Sequence, residues 1–317
     1  MHKRFVNHCT IELILSPTTP ILIKSGKEGA DPTKPDMEFV ETYHAGGKSI
    51  YLPGSSLKGA IRAHAERIVR TVGGDRNPNN PSKLWASNPL NRSSYDYLEP
   101  FQGDAPKIYQ HSSFTDQLFG STEIASRLRI EDAYPIDRAA LRIEERNGVA
   151  IDRVFGSVAV GPFNFQVCTA GEFRTKIHLK NFSLEQLGLI GLVLRDLNDG
   201  WFGLGFAKSR GLGIVEARLE KAIVQYPGCI LKDDNIVQVG REQSWSAATL
   251  IGAGAFLEDE EREKYGFASE DIQPVTLGIA EKMALGFGVQ LTWENDAIEQ
   301  VFEAAVKAWS KRLGVAA

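Results

Sequence analysis

The chain has 317 residues, 43% of them hydrophobic and 24% charged, which suits one elaborate globular domain or two modest ones. No apolar run approaches the roughly 18 residues of a membrane span, and "MHKRFVNHCTIELIL" is too short and polar-interrupted for a secretory signal, so a cytoplasmic protein without a membrane partner is expected. The formal net charge of −4 is unevenly spread: residues 221–317 hold 9 Lys+Arg against 15 Asp+Glu, and residues 1–220 hold 27 against 25, so a local basic surface remains open.

In chain order, "CTIELILSPTTPILIKSG" alternates as a long strand bent at Pro17 and Pro20, and a polar loop, "KEGADPTKPDMEFVETYHAGGKS", follows it. "IYLPG" reads as a short strand. A helix is expected from about Ser56 to Val72, capped by Ser55 or Ser56, with Leu57, Ile61, Ala65, Ile68 and Val72 as its buried stripe. Gly73-Gly74 ends it. Residues 74–117, rich in Asn, Pro and Ser, predict an insertion with little regular structure. "SRLRIEDAYPI" is strand-like, and residues 143–179 predict a projecting hairpin followed by a core strand.

"NFSLEQLGLIGLVLRDLNDG" predicts a second helix with a Ser183/Gln186 capping box; Leu187, Ile190, Gly191 and Leu194 face inward, and Gly200 closes it. "GFAKSRGLGIVEARLE" is a glycine-rich turn into a strand. The order strand, helix, strands, helix, strand is the split βαβ pattern of ferredoxin-like and RNA-recognition folds, an α+β class. In residues 221–317 only one further helix is legible, in "NDAIEQVFEAAVKAWSKRL".

Cys9, Cys168 and Cys229 are isolated, and the six histidines lack metal-ligand spacing, so neither a disulfide framework nor a zinc site is signalled. In "PGSSLKGAIR", a helix amino-terminus offers free amides beside Ser55 and Ser56. Lys58 and Arg62, four apart, share a face that Arg70 continues. That is an anion site suited to phosphate, or an ordinary capped helix with a solvated basic face. In "GFAKSRGLG", glycines 203, 205, 211 and 213 flank Lys208, Ser209 and Arg210, and the turn suits a phosphodiester backbone or is simply tight and exposed.

These stretches, taken with "QLFGS", "RLRIEDAYP" and "EERNGVAIDRVFGSVAVGPFNFQV", resemble the RAMP superfamily, specifically the backbone-type RNA-binding subunits of type III CRISPR effector complexes. The likeness spans residues 10 to about 220. It implies an RNA-recognition-like palm over residues 1–220, with the insertion at 74–117 and a thumb hairpin at about 144–176. Residues 221–317 would be an extension of unassigned role. Ser55, Ser56, Lys58 and Arg62 would hold guide-RNA phosphates, and Lys208, Ser209, Arg210 and Gly211 would support the same strand in a shared cradle. Arg153, on the thumb, could also reach RNA or pair with a nearby carboxylate.

The resemblance further implies cleavage of a complementary target RNA that depends on Mg²⁺ or another divalent cation and is carried by a loop aspartate. Asp36 is the first candidate, also as metal ligand, and Asp31 the second. An aspartate beside proline is also a common turn residue. A guide RNA, a target RNA and other effector subunits would be the partners. Two alternatives stand beside this: a non-catalytic structural or capping subunit that only binds guide RNA, and a metal-free guide-processing nuclease, against which the "IDR" segment speaks. His44 could act as a base near neutral pH but shows no partner and reads as a surface residue, His64 reads as packed or solvated, and Asp132 and Asp152 as caps or arginine partners.

Overall fold

The computed structural model describes residues 4–26, 35–88, 90 and 95–315. In chain order the first elements are β1 (His8–Pro17), β2 (Glu41–His44), β3 (Gly47–Ile50) and α1 (Gly54–Val72). Next come α2 (Ala105–His111), α3 (Phe114–Phe119), β4 (Leu128–Ile130), β5 (Tyr134–Pro135), β6 (Arg142–Ile151), β7 (Val158–Ala170), β8 (Phe173–Lys180) and α4 (Leu184–Asn198). The remainder comprises β9 (Val215–Tyr226), β10 (Cys229–Lys232), β11 (Asn235–Gln238), β12 (Ser244–Ser246), β13 (Thr249–Ile251), α5 (Asp259–Tyr265), β14 (Ile272–Pro274), β15 (Ile279–Lys282), β16 (Val289–Glu294) and α6 (Ala297–Arg312). The fold is α+β. No helix among the described residues is long and apolar enough to cross a membrane.

The main sheet runs β15-β16-β9-β1-β8-β4, with antiparallel neighbours throughout, and β5 also pairs with β8. Strand alternation gives it two unlike faces. Leu179, Cys9, Val224 and Leu291 form one cross-strand row, and Ile177, Ile11, Ala222 and Trp293 the next; all are buried. α1, α4 and α6 contribute to the same core through Leu57, Ile61, Leu187, Ile190, Val301 and Trp309. On the opposite face the corresponding rows are polar. Lys176, Glu12, Lys221 and Glu294 lie side by side, and Lys176–Glu12 and Lys221–Glu294 each pair at 2.7 Å.

Several local expectations change. The stripe of α1 ends at the fully buried Val69, while Val72 is 48% exposed, because the helix leaves the core in its last turn. Neither Ser55 nor Ser56 caps it. Pro53 occupies the cap, and the Gly54 amide donates to Asp132 Oδ1 at 2.7 Å. Gly54 is required here, since a Cβ would strike the Ile130 carbonyl oxygen of β4. In the insertion, Asp104 and Ser113 side chains accept amide hydrogen bonds and start α2 and α3, so this region is more ordered than its composition suggests.

The α4 capping box forms as expected, with Ser183 and Gln186 each bonding the other's backbone amide. The boundary expected after residue 220 falls inside β9, and β16 and β15 then widen the same sheet. α6 joins α4 at close range. A Cβ on Gly188 would lie 2.6 Å from the Ala305 carbonyl oxygen, and one on Gly191 2.6 Å from the Phe302 ring. These two glycines let the carboxy-terminal helix dock on the core, so residues 221–317 complete the domain that the earlier strands begin.

Candidate nucleic-acid interface

The amino end of α1 meets the β4–β8 corner of the sheet at a concavity of about 570 Å³. Ser55 and Lys58 line it together with Arg129, Lys180, His8 and His178. Lys58 Nζ donates to Ser126 Oγ at 2.8 Å and to the Leu128 carbonyl at 3.2 Å, both neutral partners. Its charge is therefore not offset by a carboxylate, and burial, then the nearby Arg62, lowers its pKa. Lys180 has no carboxylate partner among the described residues, and Arg129 makes only an exposed pair with Glu131 at 3.1 Å. Elsewhere on this polar face the lysines are matched by glutamates, so uncompensated positive charge collects at this corner.

A row of rings crosses the same corner. Phe5 and His8 lie 5.7 Å apart, and His8 stacks on His178 at 5.5 Å. His178 is held on both sides, by Thr10 Oγ1 at 3.2 Å and Glu131 Oε1 at 2.9 Å. Burial, then the charge of His178, pulls the His8 pKa below its ordinary 6.5, against a hydrogen bond with Gln225. Ser56 is exposed on the first turn of α1, outside the concavity.

The basic row along α1 has a different fate. Arg62 donates to Glu66 at 2.8 Å, to the Gly120 carbonyl at 2.8 Å and to Asp116 at 2.6 Å. Arg70 donates to Glu66 at 2.8 Å and to the Ser87 carbonyl at 2.6 Å. Asp116 is fully buried and also accepts from Ser87 and Ser113. This polar seam fastens the insertion and α3 to α1. Arg62 stands behind the concavity and does not line it.

Lys208 and Ser209 lie in a separate hollow of about 360 Å³ with Ala60, Ala63 and Arg67. At about 100° per residue, positions 60, 63 and 67 fall on the opposite side of α1 from 54, 55 and 58. The shared cradle expected for Lys58 and Lys208 is thus corrected to two sites on opposite flanks of one helix. The glycine-rich turn itself is as exposed as its composition implies: Lys208, Ser209, Arg210 and Gly211 all face solvent. Gly213 has φ +89, and a Cβ there would strike the Leu204 carbonyl oxygen, which fixes the turn as glycine's. Neither Lys208 nor Arg210 has a carboxylate partner among the described residues, and Arg210 sits 5.0 Å over the Phe206 ring.

β6 and β7 form a two-stranded ribbon that shares no strand pairing with the main sheet. Its tip carries Val154 and Phe155, 80% and 85% exposed. Asp152 accepts the amides of Val154 and Phe155 at 2.8 Å each, so it caps the tip turn, with Arg153 exposed beside it. Asp36 lies against the same ribbon, where its Oδ2 accepts the Asn164 amide at 2.8 Å. Asp31 lies outside the described residues. For a magnesium ion, Asp36 offers one further carboxylate oxygen. No group of three or more His, Cys, Asp or Glu among the described residues is arranged to hold a metal. Such a single exposed carboxylate fits Mg²⁺ only in its water-rich mode, with substrate phosphate completing the shell.

His64 is buried, 2.7 Å from Asp196 and stacked on Phe202. Sequence reasoning overlooked His8, His178, Lys180 and Phe5. Three of them alternate along strands whose pairing brings them together, a signal that strand register alone supplies.

No curated protein matches the chain. A family model, described as the RAMP superfamily, matches residues 14–216, from the middle of β1 through α1, the ribbon and the glycine-rich turn into β9. That is more than half the sequence, and it spans the elements that carry both cationic sites: the chain belongs to the RAMP superfamily.

Proposed function

We propose that this chain, whose membership of the RAMP superfamily points to a CRISPR-associated RNA-binding subunit, is a guide-RNA-binding backbone subunit of a type III CRISPR effector. On this reading β1, α1, β4, β8, α4 and β9 are a ferredoxin-like palm. Its strands stand in the order fourth, first, third, second across the sheet, which supports that assignment. The β6–β7 ribbon is the thumb. The guide, its complementary target and other effector subunits are the partners.

The observation that carries the reading is the corner concavity. There a helix amino end and two lysines, neither with a carboxylate partner among the described residues, face open space, as recognition of a phosphodiester backbone requires. Recognition of that kind tolerates any guide sequence. The test is binding of a short single-stranded RNA across a salt series. Lys58→Ala and Lys180→Ala should each weaken binding evenly across sequences. Each should also make the salt dependence shallower by about 0.7 for every phosphate that is no longer neutralised. Unchanged affinity and slope in the double variant would overturn the assignment.

Target cleavage is the finer part of the proposal. A Mg²⁺ ion, when bound, would supply positive charge beside the scissile phosphate. Asp36 would hold it through its remaining oxygen and waters, and the Asn164 amide would keep that carboxylate oriented. Asp36→Ala should abolish Mg²⁺-dependent target cuts by the assembled complex while guide binding persists, and Asp31→Ala tests the second candidate.

One observation favours the alternative of a non-catalytic capping subunit. The Asp36–Asn164 bond ties the loop to the ribbon, a sufficient structural reason for an aspartate there. Cuts that survive both substitutions, or no cuts from the wild-type complex, favour that alternative.

A further inference from the structure

Ahead of α1, where His44 of β2, Tyr51 just after β3 and Tyr134 of β5 meet, three rings lie nearly parallel. Tyr134 stacks on His44 with centroids 3.6 Å apart and planes 8° apart, and on Tyr51 at 5.8 Å and 16°. Rings that stack inside a protein normally close a core. This ladder instead ends in solvent, because His44 is exposed and the two tyrosines are only half-buried. A concavity of about 370 Å³ opens along it, lined by Thr42, His44, Ser49, Tyr134, Asp137 and Arg138.

The site is braced from several sides. The Arg138 guanidinium donates to the His44 and Ala45 carbonyls and lies over Gly47, where any Cβ would strike it. Tyr134 Oη donates to Asp132 Oδ2 at 3.3 Å, and Asp132 Oδ1 accepts the first amide of α1 at 2.7 Å. Ring ladder and helix amino end are therefore joined through a single carboxylate. Asp137, the acidic side chain of the lining, already accepts the Ala139 amide.

We propose that this hollow takes one unpaired nucleobase of an RNA strand bound at the amino end of α1. The base continues the His44–Tyr134 stack, and Arg138, Thr42 and Ser49 face its edge or ribose. Planar rings with one open face, a flanking guanidinium and hydroxyls are the groups that hold splayed-out bases. Stacking reads the π-face, so the pocket accepts any base. The inference rests on the RNA-binding reading above, but it adds recognition of a base to what was a backbone site.

The experiment uses the full chain and single-stranded RNAs that carry one 2-aminopurine, moved position by position. Filter binding measures affinity, and fluorescence measures stacking. Wild type should quench 2-aminopurine at one position. His44→Ala, which removes the exposed end of the ladder, should relieve that quench and weaken binding roughly tenfold, within the range of one missing base stack. The salt slope should not change. His44→Trp should restore both signals, which a merely folding-related role would not predict. RNA binding with no position-specific quench, or a quench untouched by His44→Ala, overturns the pocket while leaving the backbone site standing. Absence of RNA binding by wild type overturns the underlying reading and the pocket with it.

Discussion

Two basic stretches, the α1 row of Lys58, Arg62 and Arg70 and the turn with Lys208 and Arg210, look alike in the sequence and end in opposite circumstances. Arg62 and Arg70 are committed inward, to Glu66, the buried Asp116 and two carbonyls. Lys208 and Arg210 stand in solvent without a carboxylate among the described residues. Lys58 lies between these cases, held by neutral oxygens with its charge uncompensated. What distinguishes them is the presence of an acid on the facing element, and helical spacing alone cannot reveal that acid. A cation already spent on a buried carboxylate stabilises the fold; one left over is available to a polyanion.

The largest effect that tests this difference is on stability. Arg62→Ala strands the fully buried Asp116 with only hydroxyl partners. Breaking a buried pair from one side costs about 3–5 kcal/mol. The Arg62 side chain is 28% exposed, so the loss should fall near 2–3 kcal/mol after solvent screening, read from urea unfolding. The folded fraction should keep its RNA affinity. A stable variant with impaired binding would move Arg62 to the RNA-facing side of the comparison.

The converse substitution is Lys208→Ala with Arg210→Ala. Both residues are exposed, so stability should stay within about 0.5 kcal/mol of wild type. If RNA reaches the turn as proposed for the α1 corner, affinity drops and the salt slope becomes shallower by about 1.4, the amount for two phosphates left without a cation. An unaltered slope would leave the corner as the sole backbone site and remove the turn from the interface. Because the two sites occupy opposite flanks of α1, their effects on affinity should add.

Much of this was legible in the sequence wherever chemistry is local. The α4 capping box, the Gly213 turn and the Asp152 cap each depend on residues within a few positions of one another. The long-range pairings were not legible. Asp132 reaches the first amide of α1 across 78 positions, which is why neither Ser55 nor Ser56 is needed as the cap. Asp116 meets Arg62 across 54 positions. His8 meets His178 only through the β1–β8 register. The carboxy-terminal strands were missed for a related reason: β15 and β16 are short, and they are fixed by pairing, β16 with β9 and β15 with β16, rather than by their own pattern.

The smallest effect contrasts a committed titrating group with an available one. Asp271 is fully buried, accepts the amides of Leu184 and Gly254, and is pushed by burial from 3.8 to about 7. Between those values the folded state holds a proton that the unfolded chain has lost. The stabilisation from Asp271 is therefore complete below about pH 3.8 and fades as pH rises toward 7. His8 works in the other direction. Its folded pKa lies below 6.5, so its contribution is present above 6.5 and is lost as pH falls through the lowered value.

Asp271→Asn should therefore make stability climb more steeply with pH between 4 and 7, and His8→Gln should flatten the profile just below 6.5. RNA separates the two groups further. A phosphate at the corner favours protonated His8, so wild-type affinity should strengthen modestly on acidification from pH 7.5, an effect that His8→Gln removes and Asp271→Asn keeps. If Asp271→Asn also removes it, the proton taken up on binding does not sit at the corner, and the assignment of the anion site to the α1 amino end fails with it.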